Sequence, residues 1–370
     1  MTSEPFEIFL VALPGLENVV AEEAYEVGFK SAKVVQGGVS IVGDWPDVWR
    51  ANLTLRCPSR VLARIGGFPV FHLAQLDKRA HKFEWGATLR QDVAVKVEVS
   101  CKRSKIYHAG AAAQRIERAI SESFGASVNK DADLRVMARI EDNFCTFSID
   151  TSGEPLHRRG HKEATGKAPL RETLAAAFLR QCEFDGRESV LDPMCGSGTL
   201  VLEAAEMASG LLPGRGRSFA FEHLANFDPE VWKEMRIRQE CYTQSIKFFG
   251  SDRDAGIIKN AIKNADRAGV SDITQFNHNA ISDLSRPDTA PGLIMVNPPY
   301  GARIGNRKLL YGLYASLGKM LTNQFHGWRV GLITSEPGLA KATELPFVTP
   351  GEVVPHGGLK IQLWRTGPLA

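Results

Sequence analysis

Val190-Leu191-Asp192-Pro193-Met194-Cys195-Gly196-Ser197-Gly198-Thr199 reads as a short apolar strand ending in an acid, then a glycine-rich turn, then the start of a helix. Glycines let a backbone come close to a ligand, and a helix start offers free N–H donors. A dinucleotide fingerprint needs a third glycine where Val201 stands, and no Lys-Ser/Thr pair follows to make a phosphate loop. Taken alone, the stretch also fits a plain structural turn. Outward from it, strand and helix patterns alternate. Strands are expected at 189–192, 246–250, 292–296, 329–334 and 359–364, and helices at 198–207, 255–268 and 308–323. That alternation predicts an α/β, Rossmann-like, doubly wound and mainly parallel sheet, which binds ligands at the carboxyl ends of its strands.

Two further strand ends carry chemistry. Phe249-Gly250-Ser251-Asp252-Arg253-Asp254 ends a strand in acids. An acid there can accept both ribose hydroxyls of an adenosine-containing cofactor, while Asp254 also reads as the cap of the following helix. Ile294-Met295-Val296-Asn297-Pro298-Pro299-Tyr300-Gly301 ends an apolar strand in Asn-Pro-Pro-Tyr. The prolines fix the chain and remove two donors, leaving carbonyls free to accept. An aromatic amine is a poor nucleophile because its lone pair is delocalised into the ring. If the Asn297 side-chain oxygen and the Pro298 carbonyl accept its two N–H bonds, the nitrogen can pyramidalise toward a methyl donor, with the developing charge met by fixed dipoles. Tyr300 can stack on the base.

The rest of the chain bounds this reading. Its 370 residues suffice for two domains, with 44% hydrophobic and 24% charged residues and a net charge of only +3. No apolar run approaches a membrane span, and the first ten residues lack the basic region of a secretion signal. Six scattered cysteines without a CxxC pair suggest neither zinc nor disulfides, so no metal and a reduced, cytoplasmic setting are expected. Residues 1–155 read as an α+β domain: a helix at 16–27, a hairpin around Gln36-Gly37-Gly38, strands at 93–99 and 145–149, and a helix at 107–124. Residues 156–168, rich in turn formers and cations, read as a linker. A helix near Pro169 then opens a second domain, 169–370. Lys102, Arg103 and Lys105, with Arg158 and Arg159 in the linker, are the candidate cations for phosphate, although short charge clusters are usually solvated surface.

Over nearly its whole length the chain resembles the THUMP-domain RNA methyltransferases, specifically bacterial guanine-N2 methyltransferases of large-subunit ribosomal RNA. Beyond the strand-end motifs, the resemblance lies in Leu13-Pro14-Gly15-Leu16-Glu17, Trp49-Arg50-Ala51-Asn52-Leu53, Arg56-Cys57-Pro58-Ser59-Arg60-Val61-Leu62, Ser148-Ile149-Asp150-Thr151-Ser152-Gly153, His157-Arg158-Arg159-Gly160 and Ala168-Pro169-Leu170-Arg171-Glu172-Thr173-Leu174. It implies a THUMP-containing RNA-binding domain before the methyltransferase domain. It also implies S-adenosylmethionine as cofactor, held by Asp192, Met194, Gly196 and Asp252 with their neighbours Pro193, Cys195, Gly198, Thr199 and Arg253. Catalytic roles fall to Asn297, Pro298, Pro299 and Tyr300, and ribosomal RNA is the expected partner. Two positions depart from the pattern. After the fourth strand an Asp usually meets the adenine amine where this chain has Asn279, and an acid often stands where it has Ala302. Some relatives are fused to a second methyltransferase domain, which a chain ending at Ala370 is expected to lack. The alternatives are a tRNA guanine-N2 enzyme, a DNA or RNA adenine-N6 enzyme, and a non-enzymatic ribosome-assembly factor that binds RNA.

Overall fold

Runs of buried apolar residues, alternating in the first half and continuous in the second, build two sheets. The computed structural model describes residues 4–162, 170–237, 245–300 and 307–370. The first sheet contains β1 (Phe6–Val11), β2 (Lys33–Val35), β3 (Gly38–Gly43), β4 (Arg60–Pro69), β5 (Val95–Lys102), β6 (Leu134–Glu141) and β7 (Phe144–Asp150), in the order β2-β3-β1-β4-β7-β6-β5. Its neighbours are antiparallel except β5 and β6, which run parallel. β6 shows the cause of its form directly: Leu134, Val136, Ala138 and Ile140 are buried while the residues between them are half-buried, the period-two pattern of a one-sided strand.

The second sheet contains β8 (Val190–Asp192), β9 (Phe248–Asp252), β10 (Thr274–His278), β11 (Leu293–Val296), β12 (Arg329–Thr334), β13 (Val354–His356) and β14 (Leu359–Arg365), in the order β10-β9-β8-β11-β12-β14-β13. From β10 to β12 all neighbours are parallel, and β14 enters antiparallel to both β12 and β13. β8 and β11 are buried at every position, as central parallel strands covered on both faces must be. The chain moves outward from β8 to β10 and then returns to β11. β8 and β11 therefore flank the switch point where such sheets hold ligands at their carboxyl edge.

The described residues divide into two compact units, neither of them one continuous stretch. The first takes residues 4–12, 21–156 and 217–237, and the second takes 13–20, 157–162, 170–216, 245–300 and 307–370. In the first unit, Phe219, Phe221, Phe227 and Trp232 form an aromatic cluster with Trp49, whose ring lies 6.2 Å from Phe221 and 5.6 Å from Phe227. In the second, a Cβ on Gly15 (φ +89) would lie 3.0 Å from the Glu352 side chain and 3.1 Å from the Val353 carbonyl, so this turn requires glycine.

Several expectations need correction. The helix expected at 107–124 is an α-helix only over Ala109–Ala119. It widens into a π-turn at Ile120–Phe124 and stops at Gly125, with φ +87. Asn279 follows β10, the third strand of its sheet in chain order and not the fourth. Residues 157–162, read as linker, pack inside the second unit, and a Cβ on Gly160 would strike the Gly216 carbonyl at 2.3 Å. The helix after the linker is Glu172–Gln181, and Pro169 and Ala302 lie outside the described residues.

Candidate active site

Parallel register carries four strand ends to one edge. Asp192 of β8 pairs with Gly250 of β9, His278 of β10 pairs with Asp252 of β9, and Ile294 of β11 pairs with Leu191 of β8. The side chains at or just past these ends are Asp192, Asp252, Asn279 and Asn297.

The glycine turn is held by its own polar groups. Asp192 is 2% exposed, and its Oδ1 accepts the Met194 N–H at 3.0 Å. Cys195 N–H donates to the Ser251 carbonyl at 2.9 Å, and Gly196 N–H donates to Asp252 Oδ2 at 3.0 Å, tying the turn to β9. Gly196 has φ +53, and a Cβ there would meet nothing within 4 Å, so its backbone borders open space. Gly198, with φ +89, caps the helix Thr199–Ala208. A Cβ on it would come within 3.2 Å of the Phe276 ring, and one on Gly250 within 2.5 Å. Phe276 of β10 thus lies across both glycines. The sequence reading missed it, because β10 has no apolar pattern to announce it.

The two acids differ in surroundings. Burial pushes the Asp192 carboxyl up to about 8. The Met194 N–H opposes this, and the nearby Asp252 charge adds to it. Among the described residues no cation lies within salt-bridge distance of Asp192. Asp252 is half-buried, and its Oδ1 accepts the Asp254 N–H at 3.0 Å. Asp254 does act as a cap: its side chain accepts from Gly256 and Ile257 at the start of Ala255–Ala268. Arg253 is exposed, and its carbonyl meets His278 Nε2 at 3.0 Å. Pro193 and Thr199 are buried. Burial, with Asp192 and Asp252 adding to it, pushes the Cys195 thiol well up, so no thiolate nucleophile forms there.

At the end of β11, Asn297 is half-buried, and its Oδ1 is a buried acceptor with no partner among the described residues. An unmet buried acceptor is costly in a finished fold and useful where a donor arrives with substrate. Pro298 is buried, Pro299 is exposed, and half-buried Tyr300 packs against the core cluster around Leu310, Tyr314 and Trp328. Tyr314, fully buried on the helix Arg307–Gln324, places its hydroxyl 3.4 Å from both the Pro299 carbonyl and Thr334 Oγ1. Burial raises its pKa, which keeps the phenol protonated and able to donate. No sequence signal marks this support for the Pro-Pro loop.

The candidate phosphate cations are dispersed. Arg159 is 2% exposed and ion-paired with Glu203 at 3.2 Å, so its expected place on RNA is corrected: it neutralises a buried acid. Arg158 is exposed. Lys102 sits 3.4 Å from Glu141, and Arg103 bonds Glu141 at 2.8 Å and Asp142 at 3.0 Å. Lys105 faces no acid and lies over the Phe71 ring. Among the described residues no His/Cys/Asp/Glu group could hold a metal, and no helix is long and apolar enough to cross a membrane.

Comparison with known proteins now adds to this geometry. Residues 159–350 match the model of the RMKL-like methyltransferase domain. The chain belongs to this family. Residues 7–62 also match the RlmL ferredoxin-like domain, which supports the α+β, THUMP-like region ahead of a Rossmann-like methyltransferase domain. A curated relative, the ribosomal RNA large subunit methyltransferase K/L of Vibrio campbellii (strain ATCC BAA-1116), is 33% identical over 338 residues. The match covers 87% of this chain and 48% of the relative, so the chain spans about half that protein's length. Among solved structures, a predicted N6-adenine-specific DNA methylase from Listeria monocytogenes str. 4b F2365 is 27% identical, with a TM-score of 0.88 over 99% of this chain and 97% of its own. SMU.472, described as a methyltransferase and solved in complex with SAH, matches over 100% of both chains at 24% identity and a TM-score of 0.87, a likeness of fold.

Proposed function

We propose that this family member is an S-adenosylmethionine-dependent RNA methyltransferase acting on the exocyclic N2 of a guanine in large-subunit ribosomal RNA, in the cytoplasm. The observation that carries the chemistry is the buried Oδ1 of Asn297 at the switch point, unpartnered among the described residues, next to a turn whose glycine backbone borders open space. The residues present fit the cofactor. Asp252 has lone pairs left for ribose hydroxyls, Met194 and Gly196 offer close backbone approach, Thr199 opens a helix N-terminus, and Asn279 can accept from the adenine amine through its carbonyl oxygen. Asp192 is a buried acid with no cation beside it among the described residues, which suits a positively charged ligand. When bound, the cofactor supplies a sulfonium methyl as electrophile. Asn297 Oδ1 and the Pro298 carbonyl accept the amine's two N–H bonds, Tyr300 supports the ring, and Tyr314 holds the Pro299 carbonyl from beneath.

The choice of RNA and of guanine rests on the name of the Vibrio relative and on the matched N-terminal domain. Adenine N6 is the second reading, favoured by the name of the Listeria neighbour. Incubation with labelled cofactor and protein-free large-subunit RNA, tRNA or duplex DNA, followed by nucleoside analysis, separates the two. N2-methylguanosine from the ribosomal RNA is expected, and N6-methyladenine as sole product would overturn the choice of base. Asn297→Ala should lower turnover by about 10²-fold or more at unchanged cofactor affinity, as for loss of a transition-state dipole.

A further inference from the structure

At one end of the first sheet, three segments meet through a single residue, Asn143. Phe144 of β7 pairs across the sheet with Pro69 of β4, and the Val70 N–H donates to the Asn143 carbonyl at 2.7 Å. Asn143 Oδ1 accepts the Lys105 N–H at 2.9 Å, and Asn143 N–H donates to Ser104 Oγ at 3.0 Å. The end of β4, the β6–β7 turn and the loop after β5 therefore form one fixed rim. Three aromatic side chains stand out from it: Phe71 at 45%, Phe144 at 44% and Tyr107 at 86% exposure. Large apolar groups left in water singly need no explanation, but three on one braced rim mark a contact surface.

Charge selects the partner. Lys105 Nζ lies 5.4 Å from the Phe71 ring centroid, with no carboxylate in ion-pair range among the described residues. Lys102, Arg103 and Arg139 stand nearby against Glu141 and Asp142, so with Lys105 four cations face two acids and the rim is net positive. We propose that this rim is a stacking platform for unpaired nucleotides, with bases on Phe71, Tyr107 and Phe144 and the connecting phosphate on Lys105. In naming RNA as the strand, the inference rests on the proposed function. Paired bases hide their faces inside a helix, whereas unpaired bases offer them to aromatic rings.

The test uses the full chain and fluorescence anisotropy with a labelled, unstructured RNA of roughly ten nucleotides, within the site sizes of single-strand binders. A blunt duplex of the same sequence and the matching single-stranded DNA serve as comparisons. The single-stranded RNA should bind more tightly than the duplex. Tyr107→Ala should weaken it by about tenfold, the effect of losing one stacked base, and Tyr107→Phe should restore it. Lys105→Ala should reduce the slope of log affinity against log salt by about one contact. With most of its ring in water, Tyr107 can be replaced without unfolding the chain, and cofactor binding serves as the check. Preference for the duplex, or unchanged single-strand affinity in the Phe71→Ala, Tyr107→Ala, Phe144→Ala triple variant, overturns the platform. Binding of the DNA strand alone, lost in that variant, upholds the platform and overturns the RNA reading.

Discussion

Glu203 and Glu206 are 2% and 0% exposed and Asp192 is 2% exposed, yet among the described residues the first two face cations and the third faces none. Arg159 meets Glu203 at 3.2 Å, Arg215 meets Glu206 at 2.6 Å with His161 at 3.5 Å, and Lys162 meets buried Glu172 at 3.0 Å. The contacts of Arg159, His161 and Lys162 bind the 157–162 segment to the helices Glu172–Gln181 and Thr199–Ala208, and the charges of Glu203, Glu206 and Glu172 are met by Arg159, Arg215 and Lys162 within the fold. Asp192, at the start of the glycine turn, has among the described residues the Met194 N–H and an adjacent like charge. A matched buried charge is part of the scaffold. An unmatched one at a strand end is a place prepared for a ligand of opposite sign.

The largest effect should come from breaking the matched group. Arg159→Met leaves Glu203 buried beside an apolar chain, and loss of one partner of a buried pair costs about 3–5 kcal/mol of stability. Denaturant unfolding reads this directly, and a midpoint like that of the wild type would show that the pair is not structural. Asp252, half-buried and bonded to two backbone N–H groups, stands between the extremes. Asp252→Ala should weaken S-adenosylmethionine binding by about 1.5–3 kcal/mol, the range for hydrogen bonds to a charged group. Unchanged affinity in calorimetry on a folded variant would remove Asp252 from the cofactor site.

The most diagnostic effect is the pH response of Asp192. Its folded-state value near 8 lies above the ordinary carboxylate range, so between about pH 4 and 8 the ligand-free fold holds a proton that the unfolded chain does not. Stability of the ligand-free protein should therefore fall as pH rises through that window. A cationic ligand needs the ionised form, so binding should release a proton, and affinity should improve by up to about tenfold per pH unit until pH 8. Asp192→Asn should flatten both profiles. A wild-type affinity independent of pH between 6 and 8 would show that no positive charge settles near this acid.

What could be read in advance was local. The turn after β8, the Asn-Pro-Pro-Tyr end of β11 and the helix Ala255–Ala268 each declare themselves within a dozen residues, through glycine, proline or apolar spacing. β6 alternates too, but Arg135 and Arg139 between its buried positions give the stretch a polar look, and the sequence reading places no strand there. β10 was not legible at all: as an edge strand it needs only Phe276 to face inward, and Thr274, Gln275, Asn277 and His278 carry no pattern. The misplacement of Arg159 has a different origin. A run of cations says nothing about burial, and its acid stands 44 residues further along the chain. Tyr314 beneath Pro299 is hidden for the same reason, since such contacts exist only once the sheet has brought them together.

The interleaving of the two units bears on how the chain is made. Residues 217–237 supply the aromatic cover over Trp49, yet they follow residues 157–216 of the other unit. A ribosome adds roughly 5–20 residues per second, so for several seconds the first unit waits with Trp49 uncovered while the beginning of the second is already emerging. The second unit in turn needs residues 13–20, which were made first. Neither can be completed in sequence order, so nascent chains halted before residue 217 should leave both halves sensitive to proteases that spare the finished molecule.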